Sequence, residues 1–437
     1  MPLLGRDTLV IGPIAAGPLL LETFQGTETL GIPYRYDLTL LSDDPNIPVG
    51  EVLGQPLSVR ITLQPGHYRY FQGIVTYFAK TGFAMHHARY RVVINPNLAL
   101  FDYARDCRVI NEEGQTALSI VTDFLAQRGY TDVESGSIKD HVYLKREYCL
   151  QYRETDLNFI QRLLEEEGIY YFFKHEDAKQ TLVLADSVTA HAKVPGYESI
   201  LYVPKEHKMS RDEEHFWSLT VAGSLYAGDY TVVRGYDYTK VRAQQVQFGK
   251  KSSPDEQPGA DFEDYDYPGG LSEEAEAKEE ALVRMQTDLV ANTIIEVEGN
   301  TMGLGVGDLL TLRRAAVLSA DYNPFWDTAD FDKEYLITSA KYSISINQHE
   351  TGNTTSSDEP FKATYTLLDS QTQFRPLRTA IKPRIEGPQT AIVVGPSSDE
   401  IYTDKLGRVK IQFDWDRLGN CDEDSSCWVR VAQVWAG

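Results

Sequence analysis

Four cysteines in 437 residues cannot staple a chain of this length. Cys107, Cys149, Cys421 and Cys427 form no C-x-x-C pair, so a disulfide framework and a cysteine zinc site are both excluded, and the chain reads as one that folds in a reducing cytoplasm. Cys421 and Cys427 flank an acidic loop that a disulfide could close, though one would be unusual in a reducing compartment; packing of Cys427 beside Trp428 is the preferred reading. Long apolar runs are missing too: none reaches the ~20 residues that a membrane helix needs. The most apolar stretch, Leu9 to Leu21, is broken by Gly12, Pro13, Gly17 and Pro18, and Asp7 spoils a basic leader. It reads as two short strands joined by a Gly-Pro turn. Cations are scarce: 42 Lys and Arg face 64 Asp and Glu, a net charge of −22. Nucleic acid and anionic lipid are not expected as partners, because phosphate binding needs clustered positive charge.

Catalytic signatures are also missing. There is no G-x-S-x-G, H-E-x-x-H or G-x-x-x-x-G-K-[ST]. The nine histidines are scattered; His86-His87 is the one adjacent pair, and His207 and His215 stand eight apart, neither spacing suiting one helical face. Gly303-Leu-Gly-Val-Gly307 looks like half a dinucleotide fingerprint, but a strand follows it where a phosphate-holding helix would be needed. It reads as a glycine-rich turn feeding that strand. The densest carboxylate cluster, Glu165-Glu-Glu167, sits at the C-terminus of a predicted helix, where the dipole disfavours it. A function or a local salt-bridge partner would each account for it, and the second is preferred. No catalytic, cofactor-binding or metal-binding residue is assigned, and no cofactor is expected.

What is present is strand. Aromatics reach 11%, with 26 Tyr and 17 Phe, residue types that favour sheets. Residues 1–100 carry short alternating runs punctuated by Gly and Pro. The pattern predicts a helix from Thr116 to Arg128, stopped by Gly129, and a second from Asp156 to Glu167, N-capped by Thr155 and stopped by Gly168. Residues 205–375 return to strands, interrupted by an acidic helix over 271–291. After a proline-bearing linker, Arg408 to Trp415 alternates. Val409, Ile411, Phe413 and Trp415 are expected to face inward, and Arg408, Lys410, Gln412 and Asp414 outward. Cys427 to Val434 is expected to be the last strand. The organisation that follows is a β domain over 1–100, an α+β insertion over 101–204, a second β domain over 205–375, a linker over 376–388, and the start of an OB-like domain over 389–437. From Pro383 onward six cations meet nine acids, so that OB-like end lacks a funnel for phosphates.

Four stretches resemble the VgrG family, the spike proteins of type VI secretion. They are Tyr148 to Tyr171 (Y-C-L-Q-Y-R-E-T-D-L-N-F-I-Q-R-L-L-E-E-E-G-I-Y-Y), Tyr265-Asp-Tyr-Pro-Gly269, Gly387 to Gly395, and Glu400 to Asp416 with Ser425 to Val431. Leu30 to Leu40 and Tyr70 to Val75 are similar as well. The resemblance implies a mainly β fold with an α+β insertion: two β-barrel-like hub domains followed by an OB-like β-barrel that is incomplete at the C-terminus. It implies a structural, non-enzymatic homotrimer, related to the hub and spike of contractile phage tails. Such a trimer would sit on an Hcp-like hexameric tube among baseplate components. A PAAR-type tip protein and effectors would be carried by a needle that the family continues into beyond Gly437. The implied localisation is cytoplasmic before firing, then extracellular or inside a target cell, with no signal peptide and only mechanical contact with the membrane. A phage tail hub and a spike bearing a cell-wall hydrolase are the alternative readings.

Overall fold

The computed structural model describes residues 7–13, 17–64, 66–110, 114–138, 145–146, 148–177, 179–205, 213–224, 230–235, 246–248, 263–267, 274–314, 330–346 and 360–432. In chain order the elements begin β1 (Thr8–Ile11), β2 (Leu20–Thr29), β3 (Ile32–Ser42), α1 (Val49–Val52), β4 (Pro56–Gln64), β5 (His67–Ala84), β6 (His87–Asn95), β7 (Arg105–Ile110), α2 (Ala117–Gln127) and β8 (Val133–Ser137). They continue with β9 (Cys149–Thr155), α3 (Asp156–Glu166), β10 (Tyr170–Glu176), β11 (Lys179–Ala185), β12 (Ala192–Lys193), β13 (Ser199–Tyr202), β14 (Phe216–Gly223), β15 (Tyr230–Gly235), β16 (Val246–Phe248) and β17 (Glu263–Asp266). The last are α4 (Glu274–Val290), β18 (Thr293–Gly299), β19 (Asp308–Arg314), β20 (Lys333–Ser345), β21 (Phe361–Asp369), β22 (Ala391–Val394) and β23 (Lys410–Phe413).

The chain divides into two compact units. The first comprises Met1–Leu98, Asp132–Asp140 and Gly168–Pro376; the second comprises Ala99–Thr131, His141–Glu167 and Leu377–Gly437.

The first unit is organised by one 13-stranded sheet in the order β1-β4-β5-β6-β3-β2-β20-β21-β18-β14-β13-β19-β12. Six strands, β1 to β2 in that order, form its first half. In the second half β19 also pairs with β20, which closes β20-β21-β18-β14-β13-β19 into a six-stranded barrel. The halves are joined by the antiparallel ladder between β2 and β20, Thr23 opposite Ser345 through Thr29 opposite Ser339. Alternation decides which side chains go in. Tyr34, Tyr36, Leu38 and Leu40 of β3 are buried, and so are Phe361, Ala363, Tyr365 and Leu367 of β21. Both sets belong to a single continuous core. Of the two short strands expected within Leu9–Leu21, the first is β1, which pairs with β4; the second departs from expectation, because β2 begins only at Leu20, runs on to Thr29 and pairs with β3 and β20.

In the second unit β7 pairs with β9, and α2 packs on α3. Both helices form where the sequence predicts, with Thr116 standing as the N-cap of α2 instead of its first residue. The Thr116 hydroxyl accepts from Ser119 N in a capping box, and Thr155 accepts from Asn158 N. Gly129 and Gly168 adopt positive φ just past the helix ends.

The C-terminal hairpin departs from expectation. β23 spans only Lys410–Phe413 and pairs with β22, and the expected strand after Cys427 is a single bridge, Val429 to Val409. Residues 433–437 lie outside the described residues. The expected faces do not hold either. Gln412, placed outward from the sequence, is buried, while Ile411 and Phe413 are only half-buried. The reason is local: the Gln412 amide donates to Asp416 O (2.8 Å) and accepts from Cys421 N (3.1 Å), so it holds the loop that follows. Arg408 is likewise not solvent-facing, because it pairs with Asp404 at 2.6 Å. Cys421 is exposed and Cys427 half-buried, both as free thiols, so Cys427 is less packed than expected.

Candidate functional site

Where β2, β3, β5, β20 and β21 converge, the core of the first unit turns polar. Glu28 lies on β2, Tyr36 on β3, Arg69 on β5, Tyr342 on β20 and Tyr365 on β21. The Tyr36 hydroxyl donates to Glu28 Oε1 at 2.6 Å, and Arg69 approaches the same carboxylate at 3.6 Å. Tyr342 donates to Leu304 O at 3.0 Å, and Tyr365 to Thr301 O at 2.6 Å. Val306 N reaches Glu28 Oε2 at 3.4 Å. The glycine-rich segment flagged in the sequence is therefore the lid of this cluster. A Cβ on Gly303 would stand 2.1 Å from the Tyr197 ring, one on Gly305 would stand 2.4 Å from the Arg69 guanidinium, and Gly307 has φ +92. Close approach and a left-handed turn account for the glycines, and β19 follows directly, as the sequence implied.

The electrostatics fix the protonation states. Burial pushes the hydroxyls of Tyr36, Tyr342 and Tyr365 well up, and the Glu28 carboxylate adds to this. They donate hydrogen bonds and do not serve as bases near neutrality. Burial works against the Arg69 charge, but Tyr342, Glu28 and Asp308 outweigh it and keep the guanidinium cationic. Burial, opposed by Arg69, lifts Asp308 to about 6. Burial together with Arg69 lowers His175 to about 3, and burial lowers His191 to about 4. His191 is a neutral ring spanning Gly307 O (2.7 Å from Nδ1) and the Tyr170 hydroxyl (2.8 Å from Nε2). These groups lock strand to strand and strand to loop: each phenol or imidazole is engaged by a neighbouring strand or loop, which ties the two halves of the sheet together.

The other flagged residues fall elsewhere. His87 pairs with Asp43 at 2.8 Å, His215 faces Glu213 O at 2.8 Å, and His207 lies outside the described residues. Among the described residues no three His, Cys, Asp or Glu are grouped to hold a metal, and no helix is long and apolar enough to cross a membrane.

The Tyr148–Tyr171 stretch is a network that sequence reading did not resolve. Asp156, at the start of α3, is buried and receives Arg128 (2.5 Å), Arg108 (3.4 Å) and Gln151 (2.8 Å). Arg162 pairs with Glu154 at 2.8 Å. The Glu165–Glu167 cluster does have partners: Arg146 lies 2.8 Å from Glu166 and 2.9 Å from Glu167, and Lys382 lies 2.9 Å from Glu166. Burial works against the Glu166 charge, but Arg146 and Lys382 outweigh it and hold its carboxyl at about 2.

The pattern of the phage tail baseplate hub (GPD) family matches residues 27–348, which contain the whole polar cluster except Tyr365. The chain belongs to that family. It is also similar to type VI secretion system spike proteins of Pseudomonas aeruginosa: 34% identical to VgrG1b over 99% of this chain, and 34% identical to VgrG1a over 97%. It spans only 56% and 63% of those relatives' lengths. In fold it resembles the E. coli c3393 protein, with a TM-score of 0.66, 22% identity, and coverage of 97% of this chain and 93% of that one. That protein is described as a component of the type VI secretion system with structural similarity to the T4 bacteriophage tail proteins gp27 and gp5. A tail protein from Neisseria meningitidis MC58 shares the fold at a TM-score of 0.56 and 11% identity, over 84% of this chain and 98% of its own.

Proposed function

We propose that the chain is the hub of a type VI secretion spike, acting mechanically and not as an enzyme. One observation carries the reading furthest: two six-stranded assemblies lie side by side in one continuous sheet. Three such chains around one axis would offer six assemblies to a hexameric tube. The match to the baseplate hub family and the similarity to the VgrG spikes support this assignment. In it, a homotrimer forms in the cytoplasm, seats on an Hcp-like tube, and is driven outward by contraction. A tip protein and effectors would ride ahead of it. The domain division follows the same reading, with two barrel-like hub domains, the α+β insertion and the OB-like module.

Sedimentation at several concentrations and two salt levels tests the assembly. A particle of three times the 49.3 kDa chain mass is expected. It should persist at high salt, because apolar contact is not screened whereas repulsion between chains of −22 each is. A strict monomer that also fails to bind purified hexameric tube protein would remove the hub reading.

A further inference from the structure

The linker that the sequence reads as a plain connector is a bound peptide. We infer that α3 is a peptide-binding clamp whose ligand is the chain's own segment Arg378–Lys382, and that this clamp fixes how the chain enters the β22–β23 hairpin. The recognition is made almost wholly by side chains on one helix. Glu165 receives both the Ala380 backbone N–H (2.9 Å to Oε2) and the Thr379 hydroxyl (3.0 Å to Oε1). One residue on, Asn158 grips Ile381 from both sides. Its Oδ1 accepts the Ile381 N–H at 3.0 Å, and its Nδ2 donates to Ile381 O at 2.9 Å. That is the pairing a neighbouring β-strand would offer, supplied by a carboxamide. Asn158 and Glu165 are seven residues apart, about two helical turns, and so share a face of α3.

The ends of the segment are held by charge. Arg378 donates to Glu166 O (3.2 Å), a carbonyl in the last turn of the helix, and Lys382 pairs with the Glu166 carboxylate (2.9 Å). Carboxylates at a helix C-terminus are disfavoured by the dipole, whereas cations there are favoured. The segment brings two cations to the place where α3 carries Glu165, Glu166 and Glu167. The acidic cluster and the basic strap thus answer each other, which is the second observation that separates this site from a chance run of acids. Burial of apolar side chains does not hold the strap: Ile381 is 78% exposed, and Leu377 just before it is 63% exposed. The site reads backbone and polar groups, and it can let go without unpacking a core.

Hydrogen exchange of the whole chain, followed by mass spectrometry, tests the clamp. Asn158→Ala removes both bonds to Ile381, and Lys382→Ala removes an exposed tether. Together they should speed exchange across 378–382 by at least tenfold while peptides from the middle of α3 stay as protected as before; β9 is no control, because Asn158 also donates to its Glu154 at 2.6 Å. Glu165→Gln, which keeps an acceptor oxygen of the same shape, should give a smaller acceleration than Glu165→Ala. Unchanged exchange across 378–382 in the Asn158→Ala/Lys382→Ala chain would overturn the clamp. Equal acceleration throughout α3 would overturn it too, because these side chains would then serve the helix and not the strap. If Glu165→Ala fails to fold, the Asn158 and Lys382 arm decides alone.

Discussion

In β21 of the closed barrel, Phe361, Ala363, Tyr365 and Leu367 alternate with Lys362, Thr364 and Thr366, and every member of the first set is buried. In β23 the same kind of alternation produces a different result: Gln412 is buried, and Ile411 and Phe413 are not. Its partner β22 exposes Ile392 and Val393, neighbours that point to opposite faces. The difference is what covers the sheet. β21 is paired on both edges, by β18 and β20, and is backed by a continuous core, so a shift of one residue would turn four apolar side chains into water. The two-stranded β22–β23 sheet has no such layer of its own, and two strands alone are marginal. Its faces are decided by local hydrogen bonds instead. Hydrophobic alternation fixes a face only where something stands ready to bury it.

The comparison breaks most visibly at the polar cluster of the first unit. Arg69→Met leaves Glu28 buried without its cation, and should cost about 3–5 kcal/mol in denaturant unfolding. Adding Glu28→Gln should recover part of that loss, since the two positions form one network and are not additive. A loss below about 1 kcal/mol for the single change would show that the cluster does not hold the sheet halves together.

The glycine lid comes next. Gly305→Ala drives a Cβ to within 2.4 Å of the Arg69 guanidinium, which must shift, at about 1–3 kcal/mol. Gly50→Ala is the control: nothing lies within 4 Å of its Cβ, and alanine suits a helix better, so stability should hold or rise slightly.

Acid should act on the first unit at a similar scale. His191 is held at about 4 by burial, against 6.5 for a free imidazole. The unfolded chain therefore binds a proton that the folded chain refuses, so stability is full above pH 6.5 and falls as pH drops towards 4. The loss is about 2 kcal/mol at pH 5 for this residue. His175, held at about 3, has the same sign. Asp308, lifted to about 6, has the opposite sign, because its folded form takes up a proton first, so it offsets part of the loss. Melting curves between pH 7 and 5 check the balance. The His191→Gln chain should lose less stability over that range than the parent.

How much of this was legible in the sequence follows from the range of the forces. Helices α2 and α3 were readable to within a residue because the Thr155 cap and the stops, Gly129 and Gly168, act over one turn. The glycine segment was readable as a turn before a strand for the same reason. The join between the two halves of the sheet was not: Thr29 and Ser339, which bond across the β2–β20 ladder, are 310 residues apart. Nor was the purpose of Glu165, whose partner Ala380 is 215 residues away and presents only a backbone N–H. A salt-bridge partner for the cluster could be anticipated from the helix dipole, but its identity could not. Gln412 was misplaced because nothing in an alternating run signals that its amide will be taken by the following loop.

The smallest expected effect sharpens the contrast between the two sheets. Phe24 is fully buried, with ring centroids 4.8 Å from Phe71 and 5.2 Å from Tyr36, so Phe24→Ala should cost about 3–5 kcal/mol. Phe413 keeps one good contact, a stack on Trp415 at 4.7 Å and 12°, and leaves part of its ring in water. Truncation there removes that stack and a partial burial, and creates no closed cavity because solvent can enter the space. The cost should be about 1–2 kcal/mol, read from the exchange of amides in β22 and β23. Since β22–β23 has little else to hold it, that smaller loss should still open the hairpin locally while the barrel stays protected. A cost equal to that of Phe24→Ala would mean that β23 is covered on its outer face in solution. The alternation of Ile411, Phe413 and Trp415 would then have its missing layer after all.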